Sequence, residues 1–157
     1  MNISRLNRRQ TAWLLAGAAL LCASQGFAAS EQQLAIAMTD KAAAALKAQG
    51  KAKLIERVNA KDPEFVSGET YVVVLQASDG AHLAHPTNPK LIGKAMLDVP
   101  DPDGKLFRKE RVELAGGKGK GWVDYKYKNP VSNKIEQKSA YVLKVDDVII
   151  SVGVYRD

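Results

Sequence analysis

The sequence predicts an α+β domain in which a long N-terminal helix packs on a five-stranded antiparallel sheet. Three observations lead to this fold class. Residues 30–59 carry apolar side chains at helical spacing, residues 71–76 form a nearly continuous β-branched run, and residues 121–155 contain three further strand patterns. Strands that follow one another through short turns form antiparallel sheets, and an amphipathic helix buries its apolar face on such a sheet.

The first 28 residues have the composition of a secretory signal peptide. A segment with three arginines precedes an uncharged apolar run at residues 12–23, and small residues around Ala28 form a cleavage site. The run is shorter than the about 20 residues that a membrane span needs. The sequence therefore predicts cleavage after Ala28 and a single periplasmic or secreted domain of residues 29–157. The pair Arg8-Arg9 leaves twin-arginine export open beside the general secretory route.

The composition of the mature domain excludes several classes of site. Cys22, the only cysteine, follows Leu21 where a lipoprotein signal needs a small residue, so we expect it to leave with the signal peptide. The mature domain then has no disulfide, thiol nucleophile or cysteine zinc site. Without the signal peptide, 20 basic residues face 17 acidic ones. This small excess does not indicate binding to nucleic acid.

The predicted N-terminal helix starts at Ser30, which forms a capping box with Gln33. Its apolar face comprises Leu34, Met38, Ala42, Ala45 and Leu46. Gly50 interrupts the pattern, and a shorter second helix ends within residues 59–63. The face is typical of a helix that docks on a core.

The predicted sheet starts at residues 71–76, which are apolar on both sides and so indicate a strand covered on both faces. Asp79-Gly80 marks a turn, and residues 82–85 form the returning strand, which Pro86 ends. The remaining predicted elements are an irregular segment at 87–102, a helix at 106–114, and strands at 121–127, 138–145 and 148–155.

Five segments of the chain share a characteristic order and spacing. They are SDGAHLAHPTNPKLIGK, DPDGKLFRKERVELA, GKGWVDYKYKNP, KSAYVLKV and ISVGVY. Together they resemble the single Cache domain of bacterial extracellular sensors, from about residue 54 to residue 155. The resemblance implies a PAS-like fold with a pocket on the sheet face opposite the long helix, for organic acids, amino acids or related metabolites. Many relatives belong to chemoreceptors or histidine kinases. Because this chain stops directly after its last strand, we expect a free-standing binding domain.

A pocket for a small carboxylate needs a cation, hydroxyl groups and an aromatic wall. The expected ligand-binding residues are Lys138, Tyr125, Trp122, Tyr141, His85 and Tyr71. Lys138 either reaches solvent from a strand edge or meets an anion, and the resemblance favours the anion. The aromatic residues suit ordinary sheet core as well as a pocket. Trp122 and Tyr125 have opposite strand parity, as do Lys138 and Tyr141, so a bulge or strand end is needed to bring all four together.

The two histidines are three residues apart on a predicted strand. We therefore expect His82 and His85 to point to opposite faces, with His82 exposed, and this spacing does not favour a shared metal ion. Two roles remain open for His85. It either fixes the turn at residues 86–89 by bonding backbone, or donates a hydrogen bond to a carboxylate.

Other motifs give weaker signals. Residues 99–110 resemble an EF-hand loop, but Val99 stands where the first ligand should be, so a turn that starts a helix is the better prediction. The loop GGKGKG lacks the Ser or Thr of a phosphate loop. No nucleophile elbow of the form Gly-x-Ser-x-Gly is present. We therefore expect neither a catalytic site nor a metal ion or cofactor.

The sequence thus predicts a non-catalytic periplasmic domain that binds a small organic acid or amino-acid-like metabolite. We expect it to serve chemotaxis-like signal transduction through a membrane-bound sensor kinase or chemoreceptor, with the segment at residues 87–102 closing over the pocket. One alternative is an interaction subunit that docks on such a receptor without a ligand of its own, which a pocket filled by side chains would favour. The other is a hydrolase or metal-dependent enzyme.

Overall fold

The computed structural model describes the backbone of residues 19–156 and the side chains of residues 30–156. The signal-peptide arginines and the side chain of Cys22 lie outside the described residues, so cleavage after Ala28 stays a prediction. Within the described part of the chain, no helix combines the length and the apolar character that crossing a bilayer requires.

The structure confirms the α+β class, with antiparallel strand pairing throughout the sheet. The elements are α1 (Ala19–Gln49), α2 (Lys51–Asn59), β1 (Val66–Ser67), β2 (Thr70–Gln76), β3 (His82–Ala84), a 3₁₀ helix (Pro89–Leu91), α3 (Phe107–Gly117), β4 (Lys120–Lys128), β5 (Ile135–Val145) and β6 (Val148–Arg156). The order across the sheet is β1-β2-β6-β5-β4, with β3 also beside β2. The sheet has six strands rather than five, because β1 is a two-residue strand too short to leave a sequence pattern.

Helix α1 lies across the middle of the sheet, mainly over β6 and also over β5 and β2. It begins at Ala19, so Ser30 is not its first residue in the full chain. The residues buried on its sheet-facing side include Ala35, Met38, Ala42, Ala45 and Leu46. Most of the predicted face is confirmed, but Leu34 is 41% exposed. Gly50, at a φ of 85° that favours glycine, separates α1 from α2.

The central strands are covered on both sides, as residues 71–76 predicted. In β2, Val72 and Val74 pack in the core beneath α1 and α2, whereas Tyr71, Val73 and Leu75 belong to a second core on the other face. Strand β6 alternates in the same way. The sheet is therefore the middle layer of the domain, with α1 and α2 on one face and α3 on the other.

The segment before α3 is a turn built by one carboxylate. Asp101 Oδ1 accepts the backbone N–H groups of Asp103 and Lys105 at 2.9 and 2.8 Å, and its Oδ2 accepts the N–H of Lys126 at 2.8 Å. The prediction of a helix-starting turn is confirmed. Because Asp101 also binds β4, this turn fixes α3 against the sheet.

Candidate functional site

A small cavity lies between the sheet and α3, on the face opposite α1. Its polar wall is formed by Arg108, Arg111, Lys138, His82, His85, Tyr71, Tyr125, Tyr127 and Ser151. The cavity offers about 20 Å³ to the centre of a water-sized sphere, which is room for about one water molecule. The site is thus enclosed, strongly basic and almost filled by its own side chains.

Lys138 occupies the floor of the cavity. It is 2% exposed, and its Nζ lies 4.0 Å from the ring centroid of Tyr155 and 4.1 Å from that of Tyr71. Its side chain runs over Gly153 of β6, where a Cβ atom would stand 2.3 Å from the lysine Cε. Burial, followed by the nearby charge of Arg111, holds the pKa of Lys138 well below its ordinary value.

The arginines of α3 form the opposite wall. Arg108 and Arg111 are three residues apart and so share one helix face. Arg111 donates to the hydroxyl of Tyr125, while its Nε is buried with no hydrogen-bond partner. Arg108 donates to the carbonyl of Val99 at 3.2 Å, and its guanidinium lies 4.3 Å from the ring centroid of Phe107.

Within residues 30–156, the three cations have no acidic partner at ion-pair distance. Among the ion pairs that residues 30–156 form, none includes Lys138, Arg108 or Arg111. Buried cations in folded proteins are normally paired, because desolvation without compensation is costly. The arrangement therefore lacks a negative charge, and an anion in the cavity would provide it.

The histidines both face this cavity, so the prediction of opposite faces, with His82 exposed, is wrong. Their ring centroids are 5.9 Å apart, and His82 is 3% exposed. The physical reason is that β3 ends at Ala84. His85 lies beyond the strand, where alternation no longer sets the direction of a side chain.

Hydrogen bonds assign the tautomers of both imidazoles. His85 Nδ1 accepts the backbone N–H of Asn88 at 3.1 Å, which leaves the hydrogen on Nε2. His82 Nδ1 lies 2.7 Å from the carbonyl of Lys94 and therefore carries its hydrogen. Burial, and then the neighbouring His82, lowers the pKa of His85 to about 3, so this ring is neutral near pH 7. His85 thus fixes the turn and also lines the cavity.

The tyrosines supply rigid walls and neutral hydroxyl groups. The ring of Tyr125 stacks on Phe107, with 4.0 Å between centroids and 3° between planes, and burial raises the pKa of its hydroxyl. Tyr71 stands 5.4 Å from the ring of His85. Tyr155 donates its hydroxyl to the carbonyl of Lys128 at 2.9 Å. The hydroxyl hydrogen of Tyr155 is used by this bond, whereas Tyr125 accepts from Arg111 and so keeps its own hydrogen for another acceptor.

The structure brings together four of the six predicted site residues: Tyr71, His85, Tyr125 and Lys138. Trp122 and Tyr141 lie on the other face, where their rings, 5.2 Å apart, pack against the core beneath α1. Placing these two with Lys138 was therefore an error. The β4–β5 register is regular from residue 120 to residue 128, so no bulge changes the direction of their side chains.

Sequence reasoning missed Arg108, Arg111, His82, Phe107 and Tyr127 as parts of the wall. The spacing of the two arginines beside Phe107 was a usable signal, because it places all three on adjoining positions of one helix face. Charged residues on a helix are usually solvated, so only the tertiary structure shows that these two are buried.

The irregular segment at residues 87–102 supports the wall from behind instead of lining the cavity. All of its residues are described, and none belongs to the cavity wall. Its backbone bonds three wall side chains, through Asn88 to His85, Lys94 to His82, and Val99 to Arg108. The segment therefore fixes the orientation of these groups, and its expected role as a cover over the cavity stays a prediction.

Two curated proteins share part of this sequence. The methyl-accepting chemotaxis protein McpP of Pseudomonas putida is 35% identical over 77 residues, which cover 48% of this chain and 14% of McpP. The sensor histidine kinase MctS of Rhizobium johnstonii is 32% identical over 81 residues, which cover 50% of this chain and 17% of MctS. The matched part is therefore only a small fraction of either relative.

Solved structures with the same fold include a chemotaxis protein and a chemosensory domain. A methyl-accepting chemotaxis protein from Vibrio parahaemolyticus superposes with a TM-score of 0.71 at 19% identity, covering 88% of this chain and 97% of that one. A Cache chemosensory domain studied for carboxylic acid recognition gives a TM-score of 0.64 at 25% identity, with the same coverage. The sequence profile described as Single Cache domain 2 matches residues 31–157. The chain therefore belongs to the single Cache domain 2 family.

Proposed function

We propose that this chain is an exported sensor domain that binds a small carboxylate between α3 and the sheet, without catalysis. The observation that carries the proposal is the set of three buried cations without an acidic partner: Lys138, Arg108 and Arg111. Each can donate a charge-assisted hydrogen bond to a carboxylate. The unpaired Nε of Arg111 and the Nε2 hydrogen of His85 add further donors.

The charge of the wall favours simple organic acids over amino acids. An amino acid brings an ammonium group, which needs a carboxylate or several carbonyl groups near it. The wall instead presents Lys138, Arg108 and Arg111, and it contains no aspartate or glutamate. Like charges in a site with little water repel strongly, so an ammonium group would lose much of what its carboxylate gains.

The size of the cavity favours the smallest acids. Its space of about 20 Å³ suits one water molecule, so even acetate requires the wall to move outward. We therefore expect acetate, propionate and pyruvate to bind better than larger acids.

Similarity to known proteins supports this proposal and its role in signalling. The Cache chemosensory domain with a TM-score of 0.64 recognises carboxylic acids, and the two curated relatives are a chemotaxis receptor and a sensor kinase. The predicted signal peptide supports a periplasmic location. A membrane-bound sensor kinase or chemoreceptor is accordingly the partner we propose.

Two features of the site bear on the alternative functions. The nearly filled cavity favours an interaction subunit that docks on a receptor without a ligand. Such a subunit would not explain why three cations are buried without a counter-ion. For catalysis, a histidine base needs a free nitrogen and a nucleophile beside it. The Nδ1 lone pair of His85 accepts the N–H of Asn88 and its Nε2 carries the hydrogen, so this ring has no free basic nitrogen, which argues against His85 as a catalytic base.

The test is calorimetric titration of the protein exported to and purified from the periplasm, with acetate, propionate, pyruvate, succinate and glycine. We expect the short acids to bind and glycine to bind much more weakly. Lys138→Met should weaken binding by roughly 10- to 150-fold, since a hydrogen bond to a charged group contributes about 1.5–3 kcal/mol. It should also stabilise the ligand-free protein by about 1–3 kcal/mol, because it removes an unpaired buried charge.

The matched control is Lys144→Met, which removes an exposed lysine from the same strand and should leave binding unchanged. Wild-type protein that binds none of these acids would contradict the proposal and favour the docking subunit. Equal affinity of Lys138→Met and wild type would also contradict it.

A further inference from the structure

We propose that Tyr127 sets the longest carboxylic acid that this site accepts, because its ring is the wall between the closed basic cavity and an open apolar groove. This inference rests on the proposed function. It adds the residue that determines specificity and the range of chain lengths that the residue excludes.

Tyr127 is placed at the end of the aromatic cluster that closes the cavity. Its ring stands edge-on to Phe107 and Tyr125, with centroids 6.2 and 6.0 Å apart. The Nζ of Lys138 lies 5.9 Å from the same ring on the cavity side. Tyr127 is half-buried, whereas Tyr125 and Phe107 are buried. One side of the Tyr127 ring therefore faces the cations, and the residue also reaches the surface.

An apolar groove of about 260 Å³ begins on the outer side of Tyr127. Most of its exposed surface is apolar. Its lining includes Val99, Pro100, Pro102 and Ile135, together with the charged residues Asp101, Lys126 and Lys128. Val99 and Ile135 are 43% and 54% exposed, so both present apolar surface to the groove. An alkyl chain that passed Tyr127 would thus meet apolar surface, whereas inside the cavity it meets charged groups.

Two other residues border both the cavity and the groove, but both are held in place. Phe107 is 2% exposed and stacks on Tyr125 at 4.0 Å. Arg108 is bonded to the carbonyl of Val99 and lies over the ring of Phe107. Tyr127 also borders a second surface pocket, near Thr87 and Asn133. It is therefore the residue that stands between the cavity and both openings.

The consequence for recognition is a sharp limit on chain length. We infer that the carboxylate pairs with Lys138 and Arg111, which lie against the aromatic cluster, and that its alkyl chain then extends toward the ring of Tyr127. Once the wall has moved outward to admit the carboxylate, we expect acetate and propionate to end before the ring of Tyr127, and pentanoate and hexanoate to collide with it. Removing the ring joins the cavity to the groove, and the longer chains then gain apolar contacts.

The experiment measures the affinity of the full exported protein for acetate, propionate, pentanoate and hexanoate by calorimetric titration. We expect wild type to bind propionate at least about tenfold more tightly than hexanoate, since misfit of a few methylenes in a closed pocket has an effect of this order. Tyr127→Ala should reduce that ratio at least about tenfold or invert it. Tyr127→Phe keeps the ring and should retain the wild-type ratio.

The matched control is Tyr141→Ala, which removes a half-buried tyrosine from the other face of the sheet and should not change the ratio. If Tyr127→Ala does not fold, Tyr127→Leu is measured in the same way and should also favour the longer acids. Wild type that binds hexanoate as tightly as propionate overturns the inference, as does an unchanged ratio in the Ala or Leu variant. If wild type binds no acid at all, the proposed function fails and the inference fails with it.

Discussion

The two faces of the sheet are built from the same strands but have opposite chemistry. In β6, Val152 and Val154 belong to the apolar core beneath α1, while their neighbours Ser151 and Gly153 line the basic cavity. In β5, Lys138 faces the cavity and Tyr141 faces the helix side. The comparison shows that alternate residues of one strand can build an apolar core and a basic cavity separately, because the pleat sends them to opposite faces.

The two faces also differ in what they contribute to folding. The helix side gathers aliphatic residues that are nearly all fully buried, so it supplies apolar burial. The cavity side buries cations without counter-ions, which lowers the stability of the empty protein. Sites that are unfavourable until a ligand arrives are common in binding proteins, because the ligand then gains the interactions that the empty protein lacks.

The largest loss of stability is expected when a lysine is placed on the helix side of the sheet. Val152→Lys puts an ammonium group into a fully buried apolar position, and it should lower the free energy of unfolding by about 4 kcal/mol or more. Urea unfolding measures this change. Val131→Lys, at a site 67% exposed, is the control and should change stability by less than about 0.5 kcal/mol. Similar losses in both variants would mean that the two faces do not differ as described.

The next effect concerns acid stability on the cavity side. The pKa of His85 is about 3 in the folded protein and 6.5 for an ordinary histidine. Below pH 6.5 the unfolded chain takes up a proton that the folded ring does not. Stability contributed by the neutral ring is therefore present above pH 6.5 and falls toward pH 3, by about 1.4 kcal/mol per pH unit. The groups that lower this pKa besides burial are His82, Lys138, Arg111 and Arg108.

Urea unfolding between pH 7 and pH 4 tests this, with His85→Asn as the reference because it keeps a neutral acceptor near Nδ1. The variant should lose less stability on acidification than wild type. A bound carboxylate should also reduce the loss, since its charge favours the protonated imidazole. Identical pH profiles for wild type and His85→Asn would contradict the assignment of this acid sensitivity to His85.

The smallest effect is expected from one methyl group beneath Lys138. Gly153→Ala places a Cβ 2.3 Å from the lysine Cε, so the side chain must shift. We expect a loss of about 1–3 kcal/mol in stability, as for other overpacked sites, together with weaker carboxylate binding. In a Lys138→Ala background, Gly153→Ala should lower the stability only slightly, because the lysine side chain is no longer there to be displaced. A double-mutant cycle measures the difference, and simple additivity of the two substitutions would show that Lys138 does not occupy this space.

The helix side and the order of the elements could be predicted because they leave periodic patterns. The spacing of Met38, Ala42 and Leu46 indicated a docked helix, and the run at residues 71–76 indicated a strand buried on both faces. Strand β1 could not be predicted, since two residues have no periodicity. The start of α1 was also missed, because a capping box at Ser30 does not by itself end the helix on its N-terminal side.

The site was harder to predict, because its residues come together only in the folded chain. Strand parity correctly indicated that Trp122 and Tyr125 face opposite sides, but not which of them faces the cavity. His85 follows the end of a strand, so parity does not apply to it. Arg108 and Arg111 have the sequence pattern of a solvated helix face, and their burial depends on the packing of α3.

Strand β6 contacts both the cavity and the long helix. Its two sides touch the cavity and the long helix directly, without an intervening layer. A displacement of Ser151 or Gly153 would also displace their neighbours Val152 and Val154, which pack beneath α1. The cavity and α1 are therefore separated by the thickness of one strand.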